Sequence, residues 1–219
     1  MKLARALGVI GLFCVAGSAH AADLMQDPPV VQDDYSAAGF DWTGFYAGIN
    51  GGYGSAMARS VYGPIDPRGF TLGADIGYNQ QFGQFVLGGE ADISWTGMNG
   101  AITTPAFGYK IKGNVDYFGT VRGRAGYAFD RFMPYITAGL SYGHASGTST
   151  TPPGYSASNN VVGWVAGAGA EYAVTDNVTL RGELLYHDYG NVTYYANTPV
   201  AETIHTSMAT ARVGLNFKF

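Results

Sequence analysis

Cysteine and charge are scarce in this sequence. Only one of its 219 residues is cysteine, Cys14, and only 13% are charged, about half the usual share. Cys14 lies in an N-terminal segment that reads as a cleaved leader, so the chain beyond it has no disulfide or thiol chemistry. Its 12 lysines and arginines are scattered against 16 acidic residues, for a formal net charge of −4. That leaves no basic footprint for nucleic acid. Long apolar runs are missing too. The one apolar stretch, "ALGVIGLFCVAG", is too short to span a bilayer, and no helical stripe follows it.

Glycine and aromatic residues are abundant. There are 33 Gly, 16 Tyr, 12 Phe and 3 Trp. The glycines have no collagen-like period, and so many aromatics with so little charge argue against disorder. The length fits one domain with a sizeable core.

Lys2 and Arg5 precede the apolar stretch, and Ala19-His20-Ala21 closes it with a small-x-small site. Residues 1–21 therefore read as a signal peptide cut before Ala22. Phe13, in front of Cys14, does not suit a lipoprotein site. Residues 22–41 are acidic, contain Pro-Pro and show neither strand nor helix periodicity, so they read as a linker. The folded domain is expected over 42–219.

From Trp42 onward the dominant period is two, the signature of strands. Eight segments alternate: 43–55, 69–80, 84–96, 113–128, 132–144, 161–173, 178–190 and 204–219. Each approaches the length that a tilted strand needs to cross a bilayer. Tight turns ("QQFGQ", "FDRF", "TDN") alternate with long connections near 56–68, 97–112, 145–160 and 191–203. The expected fold is all-β: an eight-stranded antiparallel up-and-down barrel with short turns at one end and long loops at the other.

Alternation does not say which face points inward. A soluble barrel hides its apolar face, whereas a membrane barrel turns it to lipid. Here aromatics bracket the apolar face of the first four segments and the sixth, with small or aliphatic residues between them. The predicted girdle comprises Phe45, Tyr53, Phe70, Tyr78, Phe85, Trp95, Tyr117, Tyr127, Tyr142, Trp164, Tyr172, Tyr186 and Phe217. Such spacing places rings at both membrane–water interfaces. The charges gather on the opposite face. The acids Asp75, Glu90, Asp92, Asp116, Glu171 and Glu183 and the bases Arg122, Arg124, Arg181, Arg212 and Lys218 are expected inside. Counted from the short turns, Glu90 and Asp92 lie level with Arg122 and Arg124. Arg181 and Glu183 lie level with Glu171 and Arg212. An unpaired charge in low dielectric costs several kcal/mol, so this set predicts a lumenal ion-pair network. Eight strands enclose only enough space for side chains, and inward Phe118 and Tyr135 fill it further.

The stretch "DWTGFYAGINGGYG" after a Pro-containing linker resembles the opening of small outer-membrane β-barrel proteins of alphaproteobacteria. These belong to the OmpA-like barrel group and are often labelled porin family. The resemblance covers about Trp42 to Phe219. It implies a barrel in the outer membrane, linked to envelope integrity, surface antigenicity and, in some members, haemin binding. Leu215, Phe217 and Phe219 resemble the signal read by the barrel-assembly machinery. Outer-membrane lipid and lipopolysaccharide are the expected partners, together with host or haemin ligands at the loops. No cofactor and no nucleic acid is expected. The OmpA peptidoglycan-binding domain is not seen, so direct tethering to the cell wall is not implied.

Three sharper functions compete with a structural barrel. A narrow passive channel conflicts with the filled lumen. A lipid A-modifying barrel enzyme would use a lipid-facing His-x-Ser, and "HAS" offers His144 and Ser146. No carboxylate is placed to orient that imidazole, since Glu171 is assigned to the lumen near the opposite end. A haemin site could draw on His144, His187 and His205, all near the long-loop end, but their spacing is not diagnostic. The expectation is a barrel with no enzymatic activity.

Overall fold

The structure is a computed structural model that describes residues 39–60, 63–103, 110–150, 154–194 and 202–219. The predicted leader and most of the linker lie outside these residues.

The described residues form nine strands: β1 (Gly44–Ser60), β2 (Gly63–Ile65), β3 (Arg68–Phe82), β4 (Phe85–Thr103), β5 (Lys110–Tyr127), β6 (Phe132–Ser149), β7 (Tyr155–Ala173), β8 (Val178–Tyr194) and β9 (Glu202–Lys218). Every pairing is antiparallel, and β9 returns to pair with β1 along Tyr46↔Lys218 to Ala58↔Thr206. The eight long strands thus close a barrel, and β2 extends only the far end of β1. Closure leaves no open edge, so each backbone N–H and C=O across the bilayer has a strand partner.

Three turns mark the short end. Gly83 has φ +62° in the two-residue turn between β3 and β4. Asp130 has φ +57° between β5 and β6, a conformation that asparagine and aspartate tolerate better than most residues. Both ends of the described barrel, Gly44 and Lys218, lie at this same end.

The opposite end differs from expectation. Much of 97–112 and 145–160 is strand rather than loop: β4 runs to Thr103, β5 starts at Lys110, β6 runs to Ser149 and β7 starts at Tyr155. Their Gly, Ser, Thr and Asn content reads locally as loop, but ladder bonds to neighbouring strands override local preference. The strands reach 19 residues, roughly 60 Å of chain at about 3.3 Å per residue. Even with a tilt of about 40° they rise well past an apolar band of about 25 Å.

Three register shifts occur in this upper region. They fall between Trp95 and Met98 on β4, Val115 and Tyr117 on β5, and Asp188 and Asn191 on β8. The first two are adjacent. Such bulges change which side of the sheet a residue faces.

The apolar sorting is that of a membrane barrel. Leu72, Val121, Ile136 and Val213 point outward and are 64–68% exposed. Asp75, Glu90, Asp92, Arg122, Arg124, Glu171, Arg181, Glu183 and Arg212 point inward and are buried.

Candidate functional site: a charged lumen between two apolar layers

The centre of the lumen holds four guanidiniums and five carboxylates. Arg122 bridges three acids: Glu183 at 2.8 Å, Asp92 at 3.1 Å and Glu90. Arg212 joins Asp92 at 3.0 Å to Glu183 at 2.6 Å. Arg181 joins Asp75 at 2.8 Å to Glu90. Arg124 holds Glu171 at 2.6 Å and stacks 4.1 Å above the Tyr135 ring. Each of these side chains is at most 3% exposed. At that burial the Coulomb attraction is large, but so is the desolvation it must offset.

The strand registers place two of these pairs directly opposite each other, Glu90 with Arg122 and Glu183 with Arg212, and Asp92 one step along the same β4–β5 ladder from Arg122. Glu171 also lies opposite Arg181, level as the counting from the turns predicts, but it pairs with Arg124 while Arg181 turns to Asp75 and Glu90. The remaining pairs reach past the neighbouring strand: from β5 to β8 and β7, from β8 to β3 and β4, and from β9 to β4. Neutral side chains complete the shells. Tyr46 donates to Glu90 at 2.7 Å, Tyr135 to Glu183 at 3.0 Å, Asn216 to Glu171 at 2.9 Å and Asn50 to Asp75 at 2.8 Å. Thr120 and Thr179 donate to Asp92 and Glu171. Their parity points them inward, but nothing local in the sequence marks them as partners of particular acids. Gly77 makes room for Tyr46, because a Cβ there would collide with the phenol.

Two expected members are not in the network. Strict parity assigns Asp116 to the lumen, but the paired bulges on β4 and β5 turn it outward. Its side chain is 43% exposed at the upper rim, 3.4 Å from Ser146 Oγ and 3.8 Å from His144 Nε2. Val115 takes the inward direction and packs near Met98. Lys218 lies at the short-turn mouth, where its Nζ donates to the Asp41 carbonyl and sits 4.9 Å over the Phe40 ring.

Apolar layers bound the charges at both ends. Toward the short turns, Phe40, Trp42, Val86, Ala128, Met133, Tyr135 and Ala173 form one cluster. Phe40 falls in the segment read as linker, yet it is buried, with its N–H donated to Asp130 at 3.1 Å and its ring edge-on to Trp42 at 4.7 Å. Trp42 Nε1 donates to the Asp130 carbonyl. Toward the long-strand end, Ala56, Met98, Phe118 and Met208 form the other cluster. Between it and the charges, His187 is fully buried, with Nδ1 2.9 Å from Ser141 Oγ, which lies 2.9 Å from the Tyr189 hydroxyl.

Of the predicted girdle, Phe45, Tyr53, Phe70, Tyr78, Phe85, Trp95, Tyr142, Trp164, Tyr172, Tyr186 and Phe217 are exposed on the outer wall. Tyr117 and Tyr127 are half-buried by ring contacts, Tyr117 stacked on His144 and Tyr127 edge-on to Phe85. Phe82, Phe129 and Phe132, not predicted, add to the lower ring. Phe82 and Phe129 lie at the tight turns, outside the alternating segments, and Phe132 opens the fifth of those segments, next to its turn. Leu215, Phe217 and Phe219 also face outward, and Phe219 N–H donates to the Phe45 carbonyl at 2.9 Å.

The three upper histidines do not converge. His187 is enclosed, His144 faces outward against Asn160 at 2.8 Å, and His205 is exposed 3.6 Å from Asp188. Near "HAS" the carboxylate of Asp116 lies between His144 and Ser146. A nucleophile relay needs the imidazole in that middle position.

A closed antiparallel barrel with an apolar outer wall, ringed by aromatics and filled by charge, defines an outer-membrane β-barrel protein. The comparisons carry this further: residues 12–217 match the outer membrane protein beta-barrel domain family, and the chain belongs to it. It is 36% identical to the 31 kDa outer-membrane immunogenic protein of Brucella melitensis, over 93% of this chain and 95% of that one. It is 34% identical to the 25 kDa outer-membrane immunogenic protein of Brucella abortus, over the whole of both. Among solved structures, the outer membrane protein OprG of Pseudomonas aeruginosa matches with a TM-score of 0.48 and 13% identity, over 81% of this chain and 96% of that one. The protein resides in the outer membrane.

Proposed function

We propose that this protein is a non-conducting, non-enzymatic barrel that serves envelope integrity and presents its upper strands and loops to the surroundings. The observation that carries this reading is the filled lumen. A charged cluster lies between two apolar layers, with Phe118, Met98, Met133 and Met208 at most 1% exposed. An aqueous path would have to displace well-packed apolar side chains at two levels. A passive channel is therefore disfavoured despite the porin label. Surface presentation is supported by strands that rise beyond the apolar band and by the word "immunogenic" in the relatives' names. Purified protein in planar bilayers should give no stable conductance steps; large, reproducible steps would overturn the sealed reading.

Leu215, Phe217 and Phe219 are the proposed contact for the assembly machinery. Deleting Phe219 should lower the amount of heat-modifiable barrel in outer-membrane fractions. Unchanged amounts would remove that role. A haemin ligand finds no converged pair among His144, His187 and His205, and lipopolysaccharide remains the partner expected around the aromatic rings.

A further inference from the structure

The lumenal charges do not balance. Among the described residues, Asp75, Glu90, Asp92, Glu171 and Glu183 face four arginines, an excess of one negative charge between two apolar layers. Such a charge costs several kcal/mol in a site of low dielectric. A bound proton removes it, and the hydrogen bonds show where the proton sits. Glu90, Asp92, Glu171 and Glu183 each receive a donor on both carboxylate oxygens. Asp75 is asymmetric. Its Oδ1 accepts from Asn50 Nδ2 and Arg181, each at 2.8 Å, while its Oδ2 is buried with no donor.

The neighbour of Oδ2 is also an orphan acceptor. Asn216 Oδ1 has no donor, and its orientation is set by Asn216 Nδ2, which donates to Glu171 at 2.9 Å. Gly48 lies between the two residues in the sheet, opposite Asp75 on β3 and opposite Asn216 on β9. Asn216 Oδ1, the Leu215 carbonyl oxygen at 2.8 Å and Asp75 Oδ2 at 2.9 Å crowd the point that a Gly48 Cβ would occupy. The missing side chain therefore leaves one pocket of space that the two orphan side-chain acceptors fill together. Two acceptors without a donor repel each other; an O–H on one of them makes a hydrogen bond.

The surrounding groups favour the neutral acid. Asp75 lies directly opposite Asp92 on β4, and like charges opposite each other destabilise a sheet. Glu90, also on β4, shares Arg181 with Asp75. Arg212 on β9 is committed to Asp92 and Glu183, and Tyr46 on β1 donates to Glu90. His187 is the other lumenal group that could carry the proton. Its Nε2 is buried with no acceptor, so an imidazolium there would leave an N–H unpaired.

We propose that Asp75 is a proton-binding site, holding a neutral carboxyl in the folded barrel with Oδ2 donating toward Asn216 Oδ1. The test uses the full barrel folded in lipid vesicles at neutral pH, with wild type, Asp75→Asn and Asp92→Asn compared. An amide at position 75 has the same shape, the same lack of charge and an N–H for Asn216. Asp75→Asn is expected to keep the wild-type denaturant midpoint or raise it, whereas Asp92→Asn lowers it. Infrared spectra of the wild type are expected to show the C=O stretch of a protonated carboxyl, lost in Asp75→Asn. A midpoint that falls as far in Asp75→Asn as in Asp92→Asn, failure of Asp75→Asn to fold, or absence of the protonated band overturns the proposal. Stability that rises with sodium while the band is absent assigns the pocket to a cation and likewise overturns it.

Discussion

The belt between the aromatic rings and the rim above it are built from the same strands, yet they handle charge differently. In the belt, Arg122, Arg124, Arg181 and Arg212 meet Glu183, Asp92, Glu171 and Asp75 at 2.6–3.1 Å with almost no exposure. At the rim, Arg68 and Asp66 lie 4.0 Å apart, His144 and Asp116 3.8 Å, and His205 and Asp188 3.6 Å, with side chains 19–62% exposed. The belt keeps unbroken register, whereas the rim carries the three register shifts. Where water solvates each charge separately, nothing forces partners together. Where it is excluded, each charge must find one.

That contrast can be broken at three levels. The largest effect belongs to the belt centre. Arg122→Ala strands Glu90, Asp92 and Glu183 around a void, and should lower the unfolding free energy in lipid vesicles by about 3–5 kcal/mol. A loss under about 1 kcal/mol would show that water reaches the cluster. The outer wall comes next. Leu184 is 66% exposed and paired with Ala168, midway between Trp164 and Tyr172. Leu184→Arg should cost about 2–4 kcal/mol, the value for a cation near the bilayer midplane. A neutral result would put that position at the interface. The smallest effect belongs to the rim. Asp116→Asn should change stability by less than about 1 kcal/mol, as expected for an exposed pair; a larger loss would mean that the rim is as dry as the belt.

Much of the site was legible from the chain. The short turns tie β3 to β4, β5 to β6 and β7 to β8, so counting from them places Glu171 level with Arg181. β4 begins and β5 ends at that same short-turn end, Phe85 opposite Tyr127, which brings Glu90 level with Arg122. The contacts across the lumen were not legible. Arg122 to Glu183 and Arg181 to Asp75 depend on barrel diameter and stagger, which emerge only when β9 meets β1. Asp116 was misplaced because alternation assumes an unbroken ladder, and one extra residue on β5 reverses the face. The upper strands are longer than the alternating segments for a related reason. Gly147, Ser149 and Ser156 look like loop residues, but neighbouring strands supply their ladder partners.

Period-two alternation, ring spacing and the one-sided placement of charge belong to the sequence alone. They suffice to specify strands, a barrel and a lipid-facing wall, because each is a local pattern meeting two different solvents. Which arginine holds which acid, which carboxyl is left over and which way Asp116 turns were decided only by closure. Those outcomes depend on distances between strands far apart in the chain, and no local pattern encodes them.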